Sequence, residues 1–277
     1  MCFGVRDAIA LAKRESQAQP LTILGDLVHN ESVLEDLRGR GIRFEQDASK
    51  VATAKVMITA HGASDKTLAR VRGQGLDVVE GTCPLVHYAH RAVKRLVQEG
   101  FHPVIVGKRD HVEVRGLTED LATFDTILTE EDVKGLIERA RFGIAAQTTQ
   151  PIERVRNLVL MIRQRFPQSQ VRFIDTVCQP TKQRQSAAEE LATKCDMVIV
   201  IGGAHSNNTR ELVATCGRIC ARVHHVQRAD ELDAAWLENA ETIGITAGTS
   251  TPDWIIDEVE HTLEMMACQQ PVLVEAL

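Results

Sequence analysis

The sequence predicts an α/β protein of three similar small domains, each with a parallel-sheet core. Two observations carry this prediction. Apolar runs of four to six residues alternate with helical stretches, which is the pattern of βαβ units. A cysteine, a helix, an apolar strand and a polar loop also recur three times in the same order. We therefore expect domains at residues 1–80, 81–170 and 171–277.

The spacing from cysteine to histidine defines the repeat. Each copy places a histidine 27 or 28 residues after its cysteine: Cys2 and His29, Cys83 and His111, Cys178 and His205. The helix between them reads VRDAIALAKRESQ, VHYAHRAVKRLVQEG and TKQRQSAAEELATKC, and the strand reads LTILGD, PVIVG and DMVIVIGG. A second helix, strand and polar turn follow, with the strands in KVMITA, FGIAAQ and TIGITA. The second and third copies also have a strand before the cysteine, in LDVVEGT and VRFIDTV.

The polar residues that follow the strands are the candidates for a functional site. In open α/β sheets, ligands bind at the carboxyl ends of the strands, where the next helices present free N–H groups. Each copy places a cysteine there, together with imidazole, amide or hydroxyl groups. If the three copies meet, they form one pocket with three thiolates and many donors for an anion.

Three equivalent cysteines favour an iron–sulfur cluster over a structural zinc ion. Structural zinc takes four ligands, and the sequence contains no C-x-x-C pair. Three thiolates on a [4Fe–4S] cluster, from Cys2, Cys83 and Cys178, leave one iron free to act as a Lewis acid toward a substrate oxygen. Buried structural thiols are the alternative.

The remaining polar residues suit a phosphorylated substrate, because such donors beside helix N-termini bind phosphate. The candidates are His29, His61, His111, Thr149, Ser206, Asn207, Asn208 and Ser250. Glu113 follows shortly after His111, and an anion nearby would raise its pKa into the range of a general acid. Hydrogen-bonded loop histidines, a solvated Glu113 and helix capping by the hydroxyl and amide groups are the alternatives.

Composition limits the other classes of function. The chain has 277 residues and a net charge of −6, so it lacks the basic excess of a nucleic-acid-binding protein. No apolar run approaches the roughly 18 residues of a membrane span, and the first residues do not form a secretory signal. We expect a cytoplasmic protein that has no membrane partner and whose cysteines are thiols.

The other cysteines need no site of their own. Cys216 and Cys220 share a helical spacing with His224, which invites a metal interpretation, but thiols that face a core explain the pattern better. Cys195 and Cys268 are predicted to be packing residues.

Seven short strings occur in a fixed order along nearly the whole chain. They are C-F-G-V at 2–5, V-H-N at 28–30, A-H-G at 60–62, T-C-P-L-V at 82–86, Q-T-T at 147–149, D-T-V-C at 175–178 and T-A-G at 246–248. In these strings the sequence resembles the 4-hydroxy-3-methylbut-2-enyl diphosphate reductase family, which acts last in the methylerythritol phosphate route to isoprenoids. The resemblance implies a pseudo-threefold trefoil of α/β domains around a [4Fe–4S] cluster, which oxidation can convert to [3Fe–4S].

The resemblance also implies roles for the candidate residues. It makes Cys2, Cys83 and Cys178 the cluster ligands. It makes Glu113 the proton donor and Thr148 its helper hydroxyl. It gives contacts with the substrate diphosphate to His29, His61, His111, Ser206, Asn208 and Ser250. The implied reaction is reductive dehydroxylation to isopentenyl and dimethylallyl diphosphates, in which the substrate oxygen binds the open iron and ferredoxin or flavodoxin supplies the electrons.

Four departures from the family pattern leave other functions open. The usual strand before Cys2 is absent from the sequence, and Val112 replaces the proline of H-P-E-V. Asn207 replaces a serine of S-S-N, and Glu31 adds a carboxylate after V-H-N. These changes are compatible with a paralogue that uses the same cluster on another substrate. A non-catalytic iron–sulfur sensor and a phosphosugar- or nucleotide-binding α/β protein are further alternatives.

Overall fold

A computed structural model describes residues 1–269 and has the α/β fold with three parallel sheets that the sequence predicts. Residues 2–183 form one compact unit that holds two of the sheets. Met1 and residues 184–269 form a second unit, which holds the third sheet. Within the described residues, no helix is long and apolar enough to cross a membrane. The finer division of the chain at residues 80 and 170 stays a prediction.

Sheet A is the core of the first repeat. Its strands are β1 (Leu21–Leu24), β2 (Arg43–Glu45), β3 (Lys55–Ile58) and β4 (Asp77–Glu80). They pair in parallel in the order β2-β1-β3-β4. The helices of this repeat are α1 (Phe3–Ala18), α2 (Glu31–Gly39) and α3 (Asp65–Gly73). The inner strands β1 and β3 are buried along almost their whole length, as parallel strands with both faces covered must be.

Sheet B repeats this plan. Its strands are β5 (His102–Val106), β6 (Asp125–Ile127), β7 (Arg141–Ala146) and β8 (Gln170–Phe173), in the order β6-β5-β7-β8. Its helices are α4 (Pro84–Gln98), α5 (Val112–Thr118), α6 (Glu130–Lys134) and α7 (Ile152–Arg165). Phe142 and Ile144 of β7 pack with Leu158 and Ile162 of α7. Each such fully buried side chain stabilises the fold by about 1.5–3 kcal/mol.

Sheet C lies in the second unit. Its strands are β9 (Met197–Ile201), β10 (Val223–Val226) and β11 (Ile243–Ala247), in the order β10-β9-β11. The remaining helices of the chain are α8 (Gln179–Ala192), α9 (Asn207–Gly217) and α10 (Asp253–Gln269). Sheets A and B each have a fourth strand that leads to a cysteine, whereas three strands make up sheet C in the part of the chain that the structure describes.

The strand orders create a topological switch point in each sheet. In each sheet the first strand in chain order (β1, β5 or β9) pairs on one side with the second strand (β2, β6 or β10). On its other side it pairs with the third strand (β3, β7 or β11). The switch point lies between the first and third strands, which are neighbours. The loops that leave these two neighbouring strands diverge, so they open a crevice at the carboxyl edge. These loops are 25–30 and 59–64 in sheet A, 107–111 and 147–151 in sheet B, and 202–206 and 248–252 in sheet C. All candidate substrate-binding residues lie in these loops or directly after them.

Candidate active site

Each candidate cluster cysteine stands at the N-terminus of a helix. Cys2 precedes α1, Cys83 precedes α4 and Cys178 precedes α8. Cys83 and Cys178 reach this position because the edge strands β4 and β8 end shortly before them. The free N–H groups and the positive dipole end of a helix favour a thiolate there. The three helix starts therefore suit cysteines that bind a metal group.

The structure brings the three thiols together. Burial raises the pKa of Cys83, and it raises the pKa of Cys178 to about 11. The charges of Cys2 and Glu113 add to both increases, so Cys83 and Cys178 each lie within electrostatic reach of Cys2 and of Glu113. Gly4 of α1 lies against Cys83 so closely that any side chain at this position would overlap the sulfur. Helix α1 can approach Cys83 only because residue 4 is glycine.

The thiol set fits a polynuclear cluster better than a single ion. No group of three or more His, Cys, Asp or Glu side chains within residues 1–269 is arranged to hold one metal ion. In a [4Fe–4S] cluster each thiolate binds a different iron, so the ligands surround the group instead of meeting at one atom. The three thiols, each at a helix N-terminus, have the chemistry that such a group needs. That Cys2, Cys83 and Cys178 are cluster ligands stays a prediction.

Glu113 is a buried carboxyl beside these thiols. Its side chain is 1% exposed and accepts a hydrogen bond from the backbone N–H of Thr148 at 2.7 Å. The Thr148 hydroxyl lies 3.0 Å from the second carboxyl oxygen. Burial raises the pKa of Glu113 to about 7, although both Thr148 contacts oppose this increase. The site thus contains a carboxyl that is about half protonated near pH 7.

Backbone hydrogen bonds tie the cysteines to the switch-point loops. The Cys178 N–H donates to the Thr148 carbonyl at 2.9 Å, next to the Glu113 contact. The Cys83 N–H donates to the Ala60 carbonyl at 3.1 Å, one residue before His61. The loops that carry Thr148 and His61 are therefore fixed against the chain segments that carry Cys178 and Cys83.

The candidate histidines of sheets A and B form one cluster. The ring centroids lie 4.3 Å apart for His29 and His61, 5.2 Å for His29 and His111, and 5.7 Å for His61 and His111. Burial lowers the pKa of His61 well below 6.5, and the charges of the other two rings lower it further. Nδ1 of His61 is buried and has no hydrogen-bond partner among the described residues. A buried polar atom without a partner is a group that a ligand can satisfy.

His111 has a defined arrangement of its ring nitrogens. The backbone N–H of Glu113 donates to its Nδ1 at 3.1 Å, so His111 is also the N-cap of α5. An accepting Nδ1 carries no hydrogen, so the neutral ring holds its hydrogen on Nε2. His111 can therefore cap α5 through Nδ1 and still donate a hydrogen bond to a ligand through Nε2.

The candidates of sheet C are grouped at the N-terminus of α9. Ser206 caps this helix by accepting from the Thr209 N–H at 3.3 Å, and Asn207 and Asn208 form its first turn. The Asn208 side-chain oxygen accepts from the Thr249 N–H at 2.9 Å, which places the Ser250 loop beside α9. The side-chain nitrogen of Asn208 is buried without a partner in the described range. This nitrogen is a donor that an anion could satisfy.

The sequence did not assign a role to Gln147, which holds the two loops of sheet B together. This fully buried residue accepts from the Lys108 N–H at 3.1 Å through its side-chain oxygen. Its side-chain nitrogen donates to the Thr149 hydroxyl at 3.0 Å. The Q-T-T string was the available signal, but the string alone does not show which residue faces the neighbouring loop.

Two other expectations are resolved by the structure. Glu31 is exposed and forms an ion pair with Arg38 on α2, so its negative charge is compensated within its own helix. Cys268 was expected to pack in a core, and that prediction is wrong because this residue lies on an exposed face of α10.

The thiols of the third repeat do not form a metal site with the nearby histidine. Cys216 and Cys220 are buried in an apolar cluster, as the sequence predicts. The ring of His224 instead stacks on Trp236 at a centroid distance of 4.0 Å.

Fold and site together define an α/β enzyme whose candidate groups collect at the carboxyl edges of parallel sheets. Residues 1–264 match the sequence model of the LytB protein family. The chain belongs to this family.

Curated relatives agree over nearly full length. A 4-hydroxy-3-methylbut-2-enyl diphosphate reductase of Pelobacter propionicus is 36% identical over 260 residues, which cover 93% of this chain and 92% of that protein. A reductase of the same name from Aquifex aeolicus is 35% identical over 270 residues, with 95% and 92% covered. The predicted family and the prediction of an enzyme are thereby confirmed.

Solved structures confirm the fold. A structure described as (E)-4-hydroxy-3-methyl-but-2-enyl diphosphate reductase, the terminal enzyme of the non-mevalonate pathway, is 33% identical, with a TM-score of 0.69 and 96% of each chain covered. The E-1-hydroxy-2-methyl-but-2-enyl-4-diphosphate reductase of Plasmodium falciparum is 26% identical, with a TM-score of 0.88 and coverage of 96% of this chain and 84% of that one.

Proposed function

We propose that this chain is a cytoplasmic iron–sulfur reductase that converts 4-hydroxy-3-methylbut-2-enyl diphosphate into isopentenyl and dimethylallyl diphosphates. The observation that carries the proposal is Glu113, a buried carboxyl of raised pKa beside three thiols at helix N-termini. The shared name of the relatives supports the choice of substrate.

Cys2, Cys83 and Cys178 hold a [4Fe–4S] cluster in this proposal. When bound, the cluster supplies electrons and one iron with an open coordination position. Three protein thiolates are the number that leaves such a position. Ferredoxin or flavodoxin is the proposed source of the electrons.

The proposed diphosphate-binding residues offer two kinds of donor. Imidazoles come from His29, His61 and His111, and the hydroxyl and amide donors are Thr149, Ser206, Asn207, Asn208 and Ser250. The orphan atoms of His61 and Asn208 support these roles, because each lacks the partner that a buried polar atom needs. A phosphate oxygen can accept from the Asn208 amide directly, and from His61 once Nδ1 is protonated.

Glu113 is the proposed proton donor. The reaction consumes two electrons and two protons, breaks the allylic C–O bond and releases water. Because its pKa is about 7, a large fraction of Glu113 is protonated at neutral pH and can release its proton to a group that becomes basic. The Thr148 hydroxyl is in hydrogen-bond contact with the acid and can both receive and donate a proton.

An anaerobic assay tests this proposal. Protein reconstituted with iron and sulfide should be brown, carry about four irons per chain and convert the diphosphate substrate with a chemical reductant. Glu113→Gln should keep the iron and the visible absorbance but lower kcat by roughly 100-fold or more. Glu153→Gln is the matched control, since the Glu153 side chain is 71% exposed and forms an ion pair with Arg156 of its own helix.

The outcomes separate the alternatives. A colourless protein after anaerobic reconstitution would contradict the proposal. A brown protein that does not turn over this substrate with a working reductant would favour a paralogue with another substrate. Unchanged behaviour of Glu113→Gln would favour a non-catalytic iron–sulfur protein.

A further inference from the structure

The environment of the Cys178 sulfur differs from that of the other two candidate ligands. Its Sγ lies 3.1 Å from the hydroxyl oxygen of Thr181, on the first turn of α8. Thr181 is fully buried. Among the described residues, no hydroxyl forms a hydrogen bond with the Cys2 or Cys83 sulfur, and the Cys83 sulfur instead meets the backbone N–H groups of Leu85 and Val86. The three cysteines occupy equivalent positions in the sequence repeat, but their sulfurs have different hydrogen-bond partners.

The direction of this hydrogen bond follows from the state of the sulfur. A thiol can donate to the hydroxyl or accept from it. A sulfur that ligates iron is a thiolate without a hydrogen, so it can only accept. The hydroxyl of Thr181 must then donate to Cys178.

A hydrogen bond to a ligating sulfur changes the energy of the cluster. It withdraws electron density from the sulfur and stabilises the more negative, reduced state, so it raises the reduction potential. The effect is strengthened by burial, because water cannot compete for the sulfur or screen the interaction.

We propose that Thr181 is a positioning residue that raises the reduction potential of the cluster through an O–H···S hydrogen bond to Cys178. This inference rests on the proposed function, since it needs a cluster on Cys2, Cys83 and Cys178. In this inference Thr181 acts on the cluster through Cys178 and does not contact the substrate.

Potentiometric titration of three variants tests the proposal. Thr181→Val keeps the shape of the side chain and removes the hydroxyl, whereas Thr181→Ser keeps the hydroxyl. Each protein is reconstituted anaerobically, its iron is counted, and the midpoint potential is followed by absorbance and electron paramagnetic resonance. Thr118→Val is the matched control, because Thr118 is a buried helical threonine whose hydroxyl donates to the carbonyl of Val114.

We expect equal iron in all variants and a lower midpoint potential only in those that lack the hydroxyl at residue 181, while Thr181→Ser and Thr118→Val keep the wild-type potential. At a fixed solution potential the ratio of oxidised to reduced cluster should rise several-fold; a tenfold change corresponds to about 59 mV for a one-electron couple. Wild-type potentials in both Thr181→Val and a second variant, Thr181→Ala, would overturn the inference. Loss of iron in both, with iron retained in Thr181→Ser, would also overturn it, because the hydroxyl would then hold the ligand in place instead of setting its potential.

The failure of this inference is distinguishable from failure of the proposed function. A wild-type protein that binds no iron contradicts the proposed function. A wild-type protein with its full iron content, and with the same potential as Thr181→Val, contradicts only the role of Thr181.

Discussion

Six cysteines of the chain lie in two contrasting regions. Around the carboxyl edges of sheets A and B, the thiols stand at helix N-termini beside polar groups. In the second unit, Cys195, Cys216 and Cys220 pack with aliphatic side chains of α8, α9 and sheet C. Cys216 lies in the last turn of α9, and its sulfur faces the carbonyl of Ala188 at 3.8 Å.

This contrast teaches that burial alone does not identify a metal ligand. Burial is the main cause that raises the pKa of both Cys178 and Cys216 to about 11. The two sulfurs differ in their neighbours, because Cys178 meets a hydroxyl at a helix start and Cys216 meets a carbonyl oxygen. A carbonyl opposes a negative sulfur, whereas a hydroxyl and a helix N-terminus stabilise it.

The largest expected effect separates the two regions by iron content. Cys83→Ala removes a proposed ligand, so bound iron should fall from about four per chain to near zero. Cys216→Ala removes a core sulfur and should leave the iron unchanged. Iron analysis after anaerobic reconstitution, with circular dichroism as the check on folding, measures both. Equal iron content in Cys83→Ala and Cys216→Ala would show that the two regions do not differ in iron binding.

A smaller effect on stability sharpens the description of the core region. Cys216→Ser places a hydroxyl among aliphatic side chains and should lower the free energy of unfolding by about 1–3 kcal/mol. Cys268→Ser is the matched control, since Cys268 is exposed and its substitution should change stability by less than about 0.5 kcal/mol. Urea unfolding of the two variants measures the difference. Similar losses in both would contradict the packing that distinguishes these thiols.

The sequence predicts the fold well because its signals are local and repeated. The apolar run in KVMITA becomes the buried strand β3, and the polar loop after it carries His61. That His29 and His61 meet follows from the rule that neighbouring parallel strands share one carboxyl edge.

Contacts that depend on helix rotation or on side-chain rotamers are not available from the pattern. The exposure of Cys268 depends on which face of α10 packs, and the role of Gln147 depends on the distance between two loops. The hydroxyl of Thr181 reaches Cys178 only because α8 starts at residue 179. These features follow from the three-dimensional packing and not from the sequence pattern.

The smallest expected effect concerns pH. His61 is half-buried with an enclosed Nδ1, and its pKa is well below 6.5. Its ring therefore stays neutral in the folded protein at a pH where the unfolded chain already binds a proton. Stability is therefore unaffected by this group above pH 6.5 and falls as the pH decreases below it, by at most about 1.4 kcal/mol per pH unit for one proton. Thiols with raised pKa values, such as Cys216, stay neutral across this range and contribute no slope.

Substitution of the imidazole isolates this contribution. His61→Gln should reduce the loss of stability between pH 7.5 and 5.5, as measured by urea unfolding at both values. His261→Gln, at an exposed position of α10, is the control and should keep the wild-type slope. Part of the slope should remain in both variants, because burial also lowers the pKa of His90 to about 4. An unchanged pH dependence of the unfolding free energy in His61→Gln would contradict the prediction. It would mean that His61 does not stay neutral in the folded protein below pH 6.5.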